Sequence, residues 1–220
     1  MRWSYSSLNQ FETCPLQYAA ERVYKTIERP SNPQSDWGIA VHEALEKRLR
    51  SKAPLASQYE QYEKLVAVVE KLEGDKFYEY EVALTRERKV VAWDAKDVWV
   101  RNIIDVLVVK DSIAIVIDWK TGKIKKDSSQ LALYALIVFA TFPKVLSVVT
   151  IFSWVKFSKA DRWTFHRDDV EELWQPFLER VASLEEAFFL DIWVPRPSGL
   201  CKKHCANTEC EFHGVGNRRY

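Results

Sequence analysis

The sequence predicts an α/β domain: a mixed central β-sheet flanked by helices. Three observations carry that expectation. Helical periodicity opens the chain, a run of strand-like segments follows, and then a helix, a strand and a second helix. Two runs of β-branched residues, VLVV and IAIVI, flank Lys110-Asp111-Ser112 and read as a hairpin. The segment 128–142, SSQLALYALIVFATF, is apolar on nearly every side, which predicts a buried helix.

Taken in order, Ser4 begins a capped helix whose Leu8 and Phe11 form a stripe toward Cys14 and Tyr18, and Pro15 breaks or restarts it. Residues 30–33 read as a loop. Residues 38–50, GIAVHEALEKRLR, form a helix with Val41, Leu45 and Leu49 as the core stripe. His42 and Glu46 lie one turn apart on a neighbouring face, where a lone histidine reads as structural or exposed. Residues 55–73 read as a polar amphipathic spacer helix. Residues 77–85 alternate as a strand, with Glu79 and Glu81 on one face and Tyr78, Tyr80 and Val82 on the other. Strands follow within 90–109, at 145–155 and at 163–165, and a long amphipathic helix at 169–189.

The hairpin fixes a more detailed expectation. With Asp111 and Ser112 as a two-residue loop, Lys110 faces Ile113 and Asp105 falls opposite Asp118. Alternation sends Asp118 and Lys120 the same way and Trp119 the other way. Like charges placed opposite each other destabilise a sheet, so two carboxylates and one ammonium on a single patch call for a divalent cation.

Asp105 followed by Asp118-Trp119-Lys120 resembles the PD-(D/E)xK nuclease signature, with Asn102-Ile103-Ile104-Asp105 where that signature has its leading proline. The sub-type resembled is the RecB-type nuclease. The opening block SYSSLNQFETCPLQY, the G-x-x-x-H-x-x-L-E pattern at Gly38 to Glu46 and the Q-x-x-x-Y element at Gln130 and Tyr134 fall in that family's order. The resemblance implies a restriction-endonuclease-like core and a single domain over 1–220, with a helical part at 1–73, a catalytic core at 77–190 and a cysteine-rich tail at 195–220. It implies Mg2+ or Mn2+ held by His42, Asp105, Asp118 and the backbone carbonyl of Trp119. The histidine biases the choice toward Mn2+. On the strand 77–85 it points to Glu81 rather than Glu79 as a further ligand, with a solvent-facing glutamate as the equal alternative. Lys120 would assist the attacking hydroxide, while Gln130 and Tyr134 would position the substrate backbone. The implied activity is DNA hydrolysis, as an exonuclease in phage or mobile-element processing. The alternative is an inactive DNA-binding subunit of a recombination or CRISPR adaptation complex.

Composition narrows the classes further. The 47% apolar fraction, with nine Trp and eleven Phe, belongs to a chain that folds. A net charge of +1 leaves nucleic-acid binding to local clusters. Lys123, Lys125 and Lys126 sit beside the carboxylates, and Lys202, Lys203, Arg218 and Arg219 near the C-terminus; each cluster reads either as a phosphate track or as a solvated loop. No signal segment or spanning run is visible, so the expected location is the cytoplasm, that of the host if the chain is phage-encoded. The expected partner is DNA, with a homo-oligomer or a recombination protein compatible with it. Cys14 and the spacing Cys201-x3-Cys205-x4-Cys210 suggest a thiolate site clasping the termini. Either a [4Fe–4S] cluster or zinc suits four thiolates. The resemblance favours the cluster, while His204 and His213 offer a Cys3His zinc site, and an unmetallated set is the third reading.

Overall fold

The computed structural model describes residues 1–28, 30, 32–124 and 128–215. Contacts divide the chain into two compact units. One holds Asn32–Gln175; the other combines Trp3–Ser31 with Pro176–Tyr220. The division falls inside a helix, at Pro176, where the missing amide removes one turn's hydrogen bond.

The larger unit is built on one six-stranded sheet. Its strands are β1 (Asp75–Leu84), β2 (Val90–Val91), β3 (Val100–Lys110), β4 (Ile113–Lys120), β5 (Ser147–Trp154) and β6 (Lys159–His166), in the order β2-β1-β3-β4-β5-β6. All neighbours are antiparallel except β4 and β5. A parallel pair needs a crossover, and the apolar segment forms it as a helix, Ser129–Thr141. The mixed sheet flanked by helices is the α/β core the sequence predicts.

The β3–β4 hairpin has the predicted register, with Lys110 opposite Ile113 and Val106 opposite Ile117. Asp111 takes the left-handed conformation at φ 52°, which a short polar side chain tolerates. Gly74 enters β1 at φ 125°, and a Cβ there would strike the Val109 carbonyl, so only glycine fits.

Two helices precede the sheet within this unit, Pro33–Ser51 and Glu63–Lys71. The spacer expected at 55–73 is a 3-10 turn, Ser57–Tyr62, running into the second of them. Val41, Leu45 and Leu49 pack with Val66 and Val69 against Val106, Val108, Ile117 and Trp119. A fully buried aliphatic side chain contributes about 1.5–3 kcal/mol, so this layer fixes where the first helix lies. Asn32 caps that helix by accepting from the Ser35 amide at 3.0 Å, and Pro33 supplies a preset φ.

In the smaller unit, α1 (Tyr5–Thr13) starts at a Ser4–Ser7 capping box, and α2 (Pro15–Tyr18) restarts at Pro15 as expected. We number the helices of the larger unit α3 (Pro33–Ser51), α4 (Glu63–Lys71) and α5 (Ser129–Thr141), and the helix that crosses the division α6 (Val170–Leu190). Arg180 donates to Glu12 at 2.6 and 2.9 Å, and Trp193 packs on Phe11 and Tyr18. Among the described residues, no helix is long and apolar enough to cross a membrane.

Candidate metal and phosphodiester site

Five elements of the larger unit supply the site. Helix α3 brings His42, β1 brings Glu79, β3 brings Asp105, and β4 brings Asp118 and Lys120. Gln130 and Tyr134 come from α5, where a spacing of four residues places them on one face.

His42, Glu79 and Asp105 each offer one ligand atom, all within 4.8 Å of one another. His42 Nδ1 lies 3.4 Å from Asp105 Oδ2, and that same oxygen accepts from the Trp119 amide at 2.7 Å. A main-chain donor therefore fixes the carboxylate across the fork between β3 and β4. Glu79 replaces the expected Glu81 in this group. The alternation read from the sequence fails at Glu79 itself, which is left-handed at φ 45°. Phe77 and Tyr80, three residues apart, both pack on Phe142, which strict alternation forbids. The pleat is thus reset at Glu79. Register puts Glu79 between the pairs Tyr78–Val106 and Tyr80–Ile104, level with Asp105, while Glu81 pairs one step further on with Ile103 and is exposed. A non-glycine residue held at positive φ costs of order 1–3 kcal/mol and tends to mark functional positions.

Asp118 is 3% exposed and lies in a second, adjoining network. Its Oδ1 accepts from the Tyr134 hydroxyl at 2.5 Å and from Gln130 Nε2 at 3.3 Å. Gln130 Nε2 also donates to the Tyr134 hydroxyl at 2.9 Å, and its Oε1 accepts from Lys120 Nζ at 2.8 Å. Asp118 Oδ2 has the Lys120 ammonium 2.7 Å away, but outside hydrogen-bond alignment. The ammonium thus sits against the buried oxygen as its ion-pair partner. The patch of Asp105, Asp118 and Lys120 predicted from the hairpin is therefore assembled, with Asp118 and Lys120 on one side and Trp119 in the core.

The electrostatics are those of crowded acids. Burial and then the Asp105 charge raise Glu79 to about 7, against the lowering effect of His42. Burial, followed by Asp105, raises Asp118 despite Lys120 and Tyr134. Burial pulls His42 down, but the hydrogen bond and charge of Asp105, with Asp118 and Glu79 behind them, outweigh it and bring the imidazole to about 8. Carboxylates that resist ionising and an imidazole that resists deprotonating are what an excess of negative charge produces. An imidazole with two carboxylates in reach, beside the Asp118–Lys120 pair, fits a divalent ion such as Mn2+ or Mg2+.

A cleft of about 440 Å3 opens over this group, lined by His42 and Glu79 together with residues of α3 and Thr121. Gly38 makes the close approach possible: a Cβ there would lie 2.8 Å from Thr121 Oγ1. Lys123 is exposed next to Thr121, whereas Lys125, Lys126, Arg218 and Arg219 lie outside the described residues.

A family model of the PD-(D/E)XK nuclease superfamily matches residues 2–215. The chain belongs to the PD-(D/E)XK nuclease superfamily. The fold of this nuclease is similar to that of a provisionally named exonuclease from Eubacterium rectale, at 12% identity and a TM-score of 0.53, over 89% of this chain and 84% of that one. A second solved structure, SSO0001, aligns over 96% of this chain and 87% of its own at 14% identity, with a TM-score of 0.47. No curated protein matches the sequence.

The cysteine site expected to clasp the termini does not gain the same support. Cys14 sits in extended backbone between α1 and α2, and Cys201, Cys205 and Cys210 lie on a short 3-10 segment and the turns after it. Among the described residues, no three of the four sulfurs fall within 4.8 Å of one another, so they do not converge on one ion as zinc requires. Burial raises the Cys205 thiol, with smaller contributions from Cys201, Cys14 and Cys210. The thiols therefore sense one another without forming a ligand shell, and neither zinc nor a [4Fe–4S] cluster is supported. His204 and His213 add no ligand to such a group among the described residues.

Proposed function

We propose that this nuclease is a divalent-metal-dependent deoxyribonuclease that removes nucleotides from DNA ends. The observation that carries the proposal is the His42–Glu79–Asp105 group lying against the Asp118–Lys120–Gln130–Tyr134 network. Mg2+ or Mn2+ would be held by His42, Glu79, Asp105 and Asp118, with the Trp119 carbonyl as a main-chain ligand. Such an ion supplies Lewis acidity toward a phosphate oxygen and acidifies its bound water.

The chain's own groups do the rest. Trp119 N–H and the His42 ring hold the Asp105 carboxylate in one orientation. Tyr134 and Gln130 hold Asp118, and because Tyr134 is buried it acts through Asp118 and is a positioning residue. Gln130, which is only half-buried, steers the Lys120 ammonium and orients the scissile strand. Lys120 lies 4.8 Å above the Phe152 ring and beside Asp118, and its ammonium would stabilise negative charge on the phosphate. From the resemblance alone, the setting we propose is phage or mobile-element DNA processing in the cytoplasm.

The test is degradation of end-labelled single-stranded and duplex DNA with Mg2+ or Mn2+, against a chelated control. Metal-dependent shortening of either substrate supports the proposal. No cleavage of either DNA with either ion would overturn it, and binding without cleavage would favour a non-catalytic DNA-binding subunit.

A further inference from the structure

The cleft over the metal-binding group is not electrically uniform. It runs along α3, whose residues rise about 1.5 Å each, so that Gln34 and Glu46 stand about 18 Å apart along the axis. His42 lies between them. On the N-terminal side the lining is uncharged: Gln34, Ser35 and Gly38 of α3, with Thr121 across from them. On the C-terminal side it is Glu43 and Glu46.

The surroundings sharpen the contrast. At the end whose lining is uncharged, one acid, Asp36 in the first turn of α3, is outnumbered by two cations: Lys123 follows Thr121 by two residues and is exposed. Lys156 lies 4.1 Å over the Trp37 ring, next to Gly38. Lys156 is carried by the β5–β6 turn, which is tied to the end of β4 by the bond from Val155 N–H to the Lys120 carbonyl at 3.1 Å. At the other end, Glu46 accepts from Arg50 at 2.7 Å, which offsets part of its charge. Glu43 is exposed and makes no ion pair among the described residues.

Resting on the nuclease reading above, we propose that the cleft accepts a phosphodiester chain on one side of the metal group only, running out past Gln34, Thr121 and Lys156, and that Glu43 and Glu46 bar it from the other side. A phosphate placed beside those carboxylates meets like charge, and a cleft lined by one sign of charge focuses that field. A phosphate at the opposite end meets hydroxyl, amide and ammonium donors. An unbroken strand must leave the cleft in both directions, whereas a strand end need leave in only one. Glu43 and Glu46 are thus specificity-determining residues that restrict the enzyme to chain ends.

The experiment compares one circular single-stranded DNA with its own linearised form in Mn2+. The wild type is expected to shorten the linear form and to open the circle at least tenfold more slowly. Glu43→Lys, a change at an exposed position that leaves the proposed ligands intact, and Glu43→Lys combined with Glu46→Gln are expected to narrow that gap at least threefold while still shortening the linear DNA. A wild type that opens circles as fast as it shortens linear DNA overturns the inference and leaves the nuclease reading standing. An unchanged gap in both variants also overturns it. A wild type that degrades neither substrate overturns the nuclease reading and this inference with it.

Discussion

The acidic pair of the larger unit and the cysteine set of the smaller one both stand out in the sequence by residue type and spacing. They fare differently because of what carries them. Asp105 and Asp118 sit on adjacent strands, where register fixes separation, and His42 sits on a helix held by three buried aliphatic residues. The cysteines sit at a helix junction and on turns, where no periodic geometry sets the distance between sulfurs. Side chains that could ligate become a site when regular elements hold their spacing, and spacing in sequence alone does not supply that.

The largest expected effect tests the better-built region. Asp118→Ala or Lys120→Ala should lower metal-dependent cleavage by about 10²–10³-fold or more, the scale of removing one aligned group from a preorganised site. Binding of DNA, measured by anisotropy in the presence of Ca2+, should survive at least in part. Retained cleavage in both variants would detach the chemistry from this network.

Next comes the placement of α3. Gly38→Ala pushes against Thr121 and should displace His42 relative to β4, raising the Mn2+ concentration needed for half-maximal cleavage by about tenfold. Thr121→Ala in the same chain removes the obstructing hydroxyl and should restore most of the loss. Failure of that rescue would mean that the contact does not set the width of the site.

Smaller again is the effect of pH on metal binding. Glu79 holds its proton up to about 7 and His42 up to about 8. An entering ion needs both groups deprotonated, so protons leave as it binds. Affinity for Mn2+ should fall as pH drops from 8.5 to 6.5, by up to about tenfold per pH unit for each proton released. Calorimetry in two buffers of different ionisation enthalpy counts those protons. A pH-independent isotherm would remove Glu79 and His42 from the ligand set.

The smallest effect concerns the cysteines. With its thiol raised by burial, Cys205 should alkylate at pH 8 less than about tenfold more slowly than a free cysteine, followed by peptide mass analysis. Complete protection of all four thiols, accompanied by a broad visible absorption band, would break the contrast between the two regions.

Much of the architecture was legible in the residues. The two β-branched runs around Asp111 and Ser112 determined the hairpin register, and with it the placement of Asp105 level with Asp118. The unbroken apolarity of residues 128–142 foretold a helix buried on the sheet, and the four-residue step from Gln130 to Tyr134 put both on one face. Local periodicity encodes such features, because a strand repeats every two residues and a helix every 3.6. Glu79 was not legible: alternation puts it on the same face as Glu81, only the resemblance points to Glu81, and the sequence FYEYEVALT carries no glycine, asparagine or proline to signal the left-handed backbone at Glu79. The division of the chain at Pro176 was equally hidden, since it follows from which segments pack together across long separations.

By itself, then, the sequence determined the strand and helix periods, the hairpin turn and the residue types available for a metal. Tertiary structure alone decided which glutamate faces Asp105, how closely α3 approaches Thr121 and how far apart the cysteine sulfurs stand. The reason is physical: local patterns set directions along one element, whereas distances between elements are settled by packing and backbone strain.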